Sequence, residues 1–252
     1  MLNHVTHGTA TVAPPLLIAH GLYGSARNWG VIAKRLSQDR QVIAVDMRNH
    51  GSSPWFSSHS YPEMANDLAE VLEAFGPADV LGHSMGGKAA MVLALTRPDL
   101  VNRLIVADIA PVAYGHSHTM NIDAMMSVDL NKVSRRAEAD AQLAKTIDDP
   151  MLRSFFTQSL DIKEKTWRLN LETLRQDMPN LVGFPEVTGQ YDGPTLFLTG
   201  AESDYVRPEH RGLIKSLFPA AVFAKIPGAG HWLHAEKPRE FVAAVAAWLS
   251  RG

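Results

Sequence analysis

The chain has 252 residues, 46% of them hydrophobic and 20% charged, with 24 Lys and Arg against 26 Asp and Glu for a formal charge of −2. This is the composition of an ordinary folding domain, not of a disordered or fibrous chain, and the lack of a basic surplus points away from nucleic acid as a partner. Cysteine is absent, which removes disulfides, a thiolate nucleophile and cysteine-based metal sites. The first fifteen residues carry no basic segment followed by an apolar one, so no export signal is read and the cytoplasm is the expected compartment. No apolar run approaches the ~20 residues of a spanning helix, so no membrane insertion is expected.

Along the chain, short apolar runs alternate with longer amphipathic ones. Residues 16–19 predict a first strand and 25–37 a helix with apolar positions three and four apart. Strand 42–45 and helix 61–75 follow, then strand 79–81 and helix 85–96, then strand 104–107. After a long gap come strand 195–198, helix 208–217, strand 221–224 and helix 238–249. Most of these strands are apolar on both faces, which requires helices on both sides of the sheet. The expected fold class is therefore α/β, a mostly parallel, twisted sheet with right-handed crossovers.

The gap between Asp108 and Pro194 spans about eighty residues without a clear strand, too long for a plain loop. Helical patches at 134–147, 151–160 and 166–175 suggest an inserted helical cap over 112–185, hinged near Pro111 and at 185–194. Residues 1–111 and 186–252 would then form the core domain.

The sharpest local signal is Gly82-His83-Ser84-Met85-Gly86-Gly87, placed between a predicted strand and a predicted helix. A G-x-S-x-G elbow turns so tightly that the serine backbone is strained and only glycine fits two residues either side. Ser84 is the expected nucleophile. A serine hydroxyl needs a general base, usually an imidazole held by a carboxylate. His231, in Pro227-Gly228-Ala229-Gly230-His231-Trp232 after the last strand, is the best candidate, because parallel strands end on one edge of the sheet. His4, His7, His59 and His210 read as surface or packed residues. For the acid, Asp108 ends the strand after the nucleophile helix, Asp204 follows the next strand as the alternative, and Glu202 is a weaker third. The glycines of His20-Gly21-Leu22-Tyr23-Gly24 let the Leu22 amide join the Met85 amide as an oxyanion pair, with His20 bracing the loop. A metal site built on His116 and His118 lacks further ligands at a known spacing, so neither metal nor cofactor is expected.

On these motifs the chain resembles the α/β-hydrolase superfamily along nearly its whole length. Within it, Arg48-Asn49-His50-Gly51, Asp108-Ile109-Ala110-Pro111-Val112 and Ala229-Gly230-His231-Trp232 are similar to a small esterase group that includes acyl-CoA esterases. The resemblance implies that Asp108 is the acid, since the place most superfamily members use, three residues after Gly200, holds Ser203. It also sets the chain apart from dehalogenases and epoxide hydrolases, which carry aspartate where Ser84 stands. The expectation is a cofactor-free serine carboxylesterase or thioesterase acting on small to medium acyl esters, acyl-CoA among them, through an acyl-enzyme. The partner is then a small-molecule acyl ester, and oligomeric state is left open. Two rivals share the scaffold: a carbon–carbon hydrolase or perhydrolase, and a non-catalytic small-molecule receptor. Met120, Met125, Met126, Met151 and Met178, with Phe155, Phe156 and Trp167, either receive acyl groups or pack the cap.

Overall fold

The computed structural model describes residues 1–115 and 118–250. Its strands are β1 (His4–His7), β2 (Leu16–Ala19), β3 (Val42–Val45), β4 (Ala78–His83), β5 (Val101–Ala107), β6 (Leu160–Asp161), β7 (Thr166–Trp167), β8 (Thr195–Gly200) and β9 (Ala221–Ile226). The helices are α1 (Gly30–Leu36), α2 (Tyr61–Phe75), α3 (Met85–Thr96), α4 (Thr119–Met126), α5 (Arg136–Leu143) and α6 (Pro150–Thr157), then α7 (Leu171–Gln176), α8 (Met178–Val182), α9 (Arg211–Leu217), α10 (Leu233–Glu236) and α11 (Pro238–Leu249).

Successive residues of a strand point to opposite faces, and here each face has its own core. Leu17, Ala19, Ile43, Val45, Val80 and Val106 pack in one cluster with α2 and α3. Leu16, Ile18, Val42, Ala44, Leu81 and Ile105 pack in a second with α1 and α11. That division is why the strands read as apolar at every position. The sheet runs β1-β3-β2-β4-β5-β8-β9, and every pair is parallel except β1 with β3. Helix α2 starts at a capping box between Ser60 and Glu63 and ends at Gly76, whose φ of 90° suits glycine.

Between β5 and β8 the chain inserts α4 to α8 and the antiparallel β6–β7 pair. Ile122, Met125, Phe156, Trp167 and Leu174 of this segment lie in the same apolar cluster as α2 and α3. Helix α7 begins later than the sequence pattern suggests, because Thr166 and Trp167 pair with Leu160 and Asp161. Strand β1 escaped prediction because it is a polar edge strand of four residues, half exposed. No helix among the described residues is long and apolar enough to cross a membrane.

Both ends of the insertion meet one buried side chain. Lys88 of α3 is 1% exposed, and its ammonium donates to the carbonyls of Val112 (2.9 Å), Val182 (3.1 Å) and Gly183. Its three protons thus bind the outgoing and returning limbs of the insertion to the helix that follows Ser84. Burial pushes its pKa down to about 7. Lys88→Met keeps the stem and strips the donors, taking this partner from the Val112 and Gly183 carbonyls at about 1–3 kcal/mol each, while the Val182 carbonyl keeps the Tyr114 amide at 2.9 Å. Urea unfolding should show a loss of at least about 2 kcal/mol; a variant as stable as the parent would contradict this role.

Candidate active site

Strand β2 has β3 on one side and β4 on the other, so the chain leaves their carboxyl ends in opposite directions and opens a crevice there. The segments after β2, β4, β5, β8 and β9 all reach that edge, because these strands are parallel. They carry Leu22, Ser84, Asp108, Ser203 and His231 respectively.

Ser84 has φ 52° and ψ −118°, a region that ordinary side chains rarely occupy. The strain persists because the elbow is clamped: the Ser84 amide donates to Ala107 at 3.1 Å. A Cβ at position 82 would run into the carbonyl of Gly86, and one at position 86 into the carbonyls of Ala19 and His20. Only glycine allows strand, turn and helix to close this tightly.

His231 Nε2 lies 3.0 Å from Ser84 Oγ, and its Nδ1 lies 2.8 Å from Asp108 Oδ2. With a neutral ring, Nδ1–H donates to the carboxylate and Nε2 accepts from the hydroxyl, a tautomer assigned from these partners. Asp108 has no exposed surface and a φ of 53°. Its Oδ1 accepts from the Gly200 amide at 3.0 Å, and its Oδ2 accepts from Ser203 Oγ at 2.5 Å as well as from His231. The structure therefore brings Ser84, His231 and Asp108 together. It leaves Asp204 and Glu202 exposed, and among the described residues Asp204 contributes its main-chain carbonyl to Arg207.

Three neighbours of this line were not singled out from the sequence. Ser203 stood out there only as a position without a carboxylate, and nothing in the sequence says that its hydroxyl turns towards Asp108. Tyr205 stacks on the His231 ring at 3.9 Å and 19°. His83 adds a hydrogen bond from Nε2 to the His231 carbonyl at 2.9 Å.

The loop after β2 is held by two buried imidazoles. His20 donates from Nδ1 to the Gly21 carbonyl (2.7 Å) and accepts at Nε2 from the Met47 amide (3.0 Å). His50 donates to the Arg48 carbonyl (2.8 Å) and accepts from the Tyr23 amide (3.1 Å). Desolvation lowers the pKa of both, which keeps the rings neutral and their Nε2 lone pairs free to accept. Among the described residues, the Leu22 and Met85 amides donate to no protein acceptor. Met85 opens α3, where helix amides are unpaired by construction. Two such amides beside a reactive hydroxyl can receive a developing negative charge.

Three cavities meet at or near Ser84. One of about 400 Å³ is bordered by Leu22, Ser84, Phe155, His231, Trp232 and His234. It adjoins an outer chamber of about 590 Å³ through Asn28, Phe155, Trp232 and His234. A narrow one of about 40 Å³ reaches Ser84 between Met85, Lys88, Ile109, Leu181 and Val182. His118 borders two of these cavities, whereas His116 lies outside the described residues. The methionines divide: Met125 and Met178 are buried packing residues, Met120 and Met126 are exposed, and Met151 lines the outer chamber. His59 is a packed core residue, its Nε2 against the Met85 sulfur at 3.3 Å.

The chain matches the model of the alpha/beta hydrolase fold over residues 14–238. It is 43% identical to the mouse (Mus musculus) sn-1-specific diacylglycerol lipase ABHD11, over 96% of this chain and 83% of that protein. Against the esterase YbfF of Escherichia coli K12 the identity is 38%, over 94% of this chain and 93% of the relative. A solved marine microorganism esterase aligns with a TM-score of 0.93 and 39% identity over 98% of each chain.

Burial lowers His59 and His234 to about 3, and lowers His50 and His83 well below the ordinary value of 6.5. The unfolded chain binds protons near pH 6.5 that the folded chain refuses until much lower pH. Stability from these rings is therefore full above 6.5 and lost as pH falls towards 3. For one such ring the slope is about 1.4 kcal/mol per pH unit. His59→Gln should remove that much slope from urea unfolding free energies measured between pH 6 and 4; an unchanged slope would show that His59 is not held neutral.

Proposed function

We propose that this chain, which belongs to the α/β-hydrolase family, cleaves small to medium acyl esters and thioesters through a covalent acyl-enzyme on Ser84. It is a hydrolase acting on ester bonds. In this reading Ser84 Oγ attacks the acyl carbonyl while His231 takes its proton, and Asp108 orients the ring and stabilises the imidazolium. The Leu22 and Met85 amides receive the oxyanion, a contribution of roughly 3–4 kcal/mol for each donor. His231 then protonates the leaving oxygen or sulfur, and water repeats the cycle on the acyl-enzyme.

The observation that carries this is the unbroken line from Ser84 Oγ to His231 (3.0 Å) and from His231 to Asp108 (2.8 Å), set on a strained elbow. The printed activities of the relatives, a diacylglycerol lipase and an esterase, support an ester substrate. Acyl-CoA falls within the thioester part of the proposal. Residues 112–185 act as the cap, supplying Leu152 and Phe155 to the wall of the larger cavity facing Ser84.

The test is hydrolysis of p-nitrophenyl butyrate. Ser84→Ala should cost roughly 10⁴-fold or more in kcat, and Asp108→Asn about 10³–10⁴-fold. Asp204→Asn should stay within about threefold of the parent, as an exposed side chain away from the ring requires. Near-parental turnover by Ser84→Ala would end the proposal, and an Asp204→Asn loss equal to that of Asp108→Asn would reassign the acid.

A further inference from the structure

Ser84 is shared by two cavities of very unequal size, about 400 Å³ and about 40 Å³. Resting on the ester-hydrolase reading above, we infer that the small cavity takes the acyl chain and the large one the leaving alcohol, so that the preferred substrates are short-chain acyl esters of long or bulky apolar alcohols.

The assignment follows from the tetrahedral carbon. One of its four substituents is Ser84 Oγ, and a second is the oxyanion facing the Leu22 and Met85 amides. The third, the leaving oxygen, must receive its proton from His231 Nε2. His231, Trp232 and His234 border the large cavity and are absent from the small one. Met85, Lys88, Ile109 and Leu181 border the small cavity and are absent from the large one. The leaving group therefore departs on the His231 side, and the fourth substituent, the acyl chain, points into the space beside Lys88 and Leu181. In the acylation step the Ser84 Oγ–C bond forms and the C–O bond to the alcohol breaks, with the serine proton passing through His231 to the alcohol. In deacylation water attacks the acyl carbonyl, the carbon–Ser84 Oγ bond breaks, and the water's proton passes through His231 to Ser84 as a short carboxylic acid leaves.

Size sets the acyl limit. At about 40 Å³ against about 400 Å³, the small cavity is a tenth the size of the large one and admits a short acyl chain, with the limit set near butyryl. The wall is braced against expansion. Tyr61 donates its hydroxyl to the Leu181 carbonyl at 2.6 Å, and Lys88 holds the Val182 carbonyl at 3.1 Å. The other side has room: past Phe155, Trp232 and His234 the large cavity adjoins the outer chamber of about 590 Å³. The lining of the large cavity itself is aromatic, with His234 stacked flat on Trp29 at 4.2 Å and Phe155 near Trp232 at 6.4 Å, whereas the outer chamber adds Arg27, Gln158 and Glu236 beside Met151. The aromatic lining suits an apolar alcohol.

Two matched substrate series test this. In the acyl series, p-nitrophenyl acetate through decanoate, kcat/KM should fall at least tenfold between butyrate and octanoate. In the alcohol series, ethyl through decyl acetate followed by acetate release, it should hold or rise with chain length. Leu181→Ala should move the acyl optimum up by two or three carbons without changing the ratio of decyl to ethyl acetate; Val182→Ala is the milder alternative if that variant does not fold. Octanoate esters cleaved as fast as butyrate, or a loss along the alcohol series instead, would overturn the inference while leaving ester hydrolysis intact. A parent enzyme that cleaves no member of either series would overturn the hydrolase reading itself.

Discussion

A carboxylate with no exposed surface is the constraint around which the rest of this site is built. A bare charge at the position of Asp108 would cost several kcal/mol, and removing one partner from a buried charge is far more damaging than losing a surface pair. Three donors from three different segments meet the cost: the Gly200 amide at the end of β8, the Ser203 hydroxyl in the following loop, and His231 after β9. The Asp108 amide in turn donates to Leu198. Satisfying this one group therefore fixes the relative positions of β5, β8 and β9 at their carboxyl ends. It also fixes the imidazole in the orientation that points Nε2 at Ser84.

The same edge explains why so much of the site could be read from the sequence. A strand apolar on both faces, then Gly82-His83-Ser84-Met85-Gly86, then a helix is a local pattern, because the elbow's requirements are met by residues two positions apart. His231 was legible through its place after the last strand, since topology alone brings it to the common edge. Asp108 and Asp204 could not be separated by patterning, as both follow strands and both precede the histidine. The distinction lies in side-chain direction: Asp108 occupies a left-handed conformation and turns inward, whereas Asp204 sits exposed on its loop. Ser203, Tyr205 and Lys88 were invisible for the same reason, because their roles depend on contacts across 24 to 95 positions of chain and on no local period. The β6–β7 pair, two residues a strand, is too short to leave any periodicity.

The inserted segment joins the core in two physically different ways. Its apolar residues share one continuous cluster with α2 and α3, and its two ends are hydrogen-bonded to Lys88 on α3. The helix that begins at the proposed nucleophile thus also holds the limbs that bound the narrow cavity. Ser84, Lys88, Leu181 and Val182 all border the narrow cavity, while the wider side of the cleft is bordered by α6 and α10 through Phe155 and His234.

In the proposed mechanism the Ser84 hydroxyl alone is activated, and its activation runs through His231. The most direct measurement is mass spectrometry of peptides after brief treatment with a fluorophosphonate, comparing the parent chain with His231→Gln. A single stoichiometric adduct is expected on the peptide carrying Ser84 in the parent and almost none in the variant. An adduct on another residue, or equal labelling of Ser84 when the imidazole is gone, would contradict it.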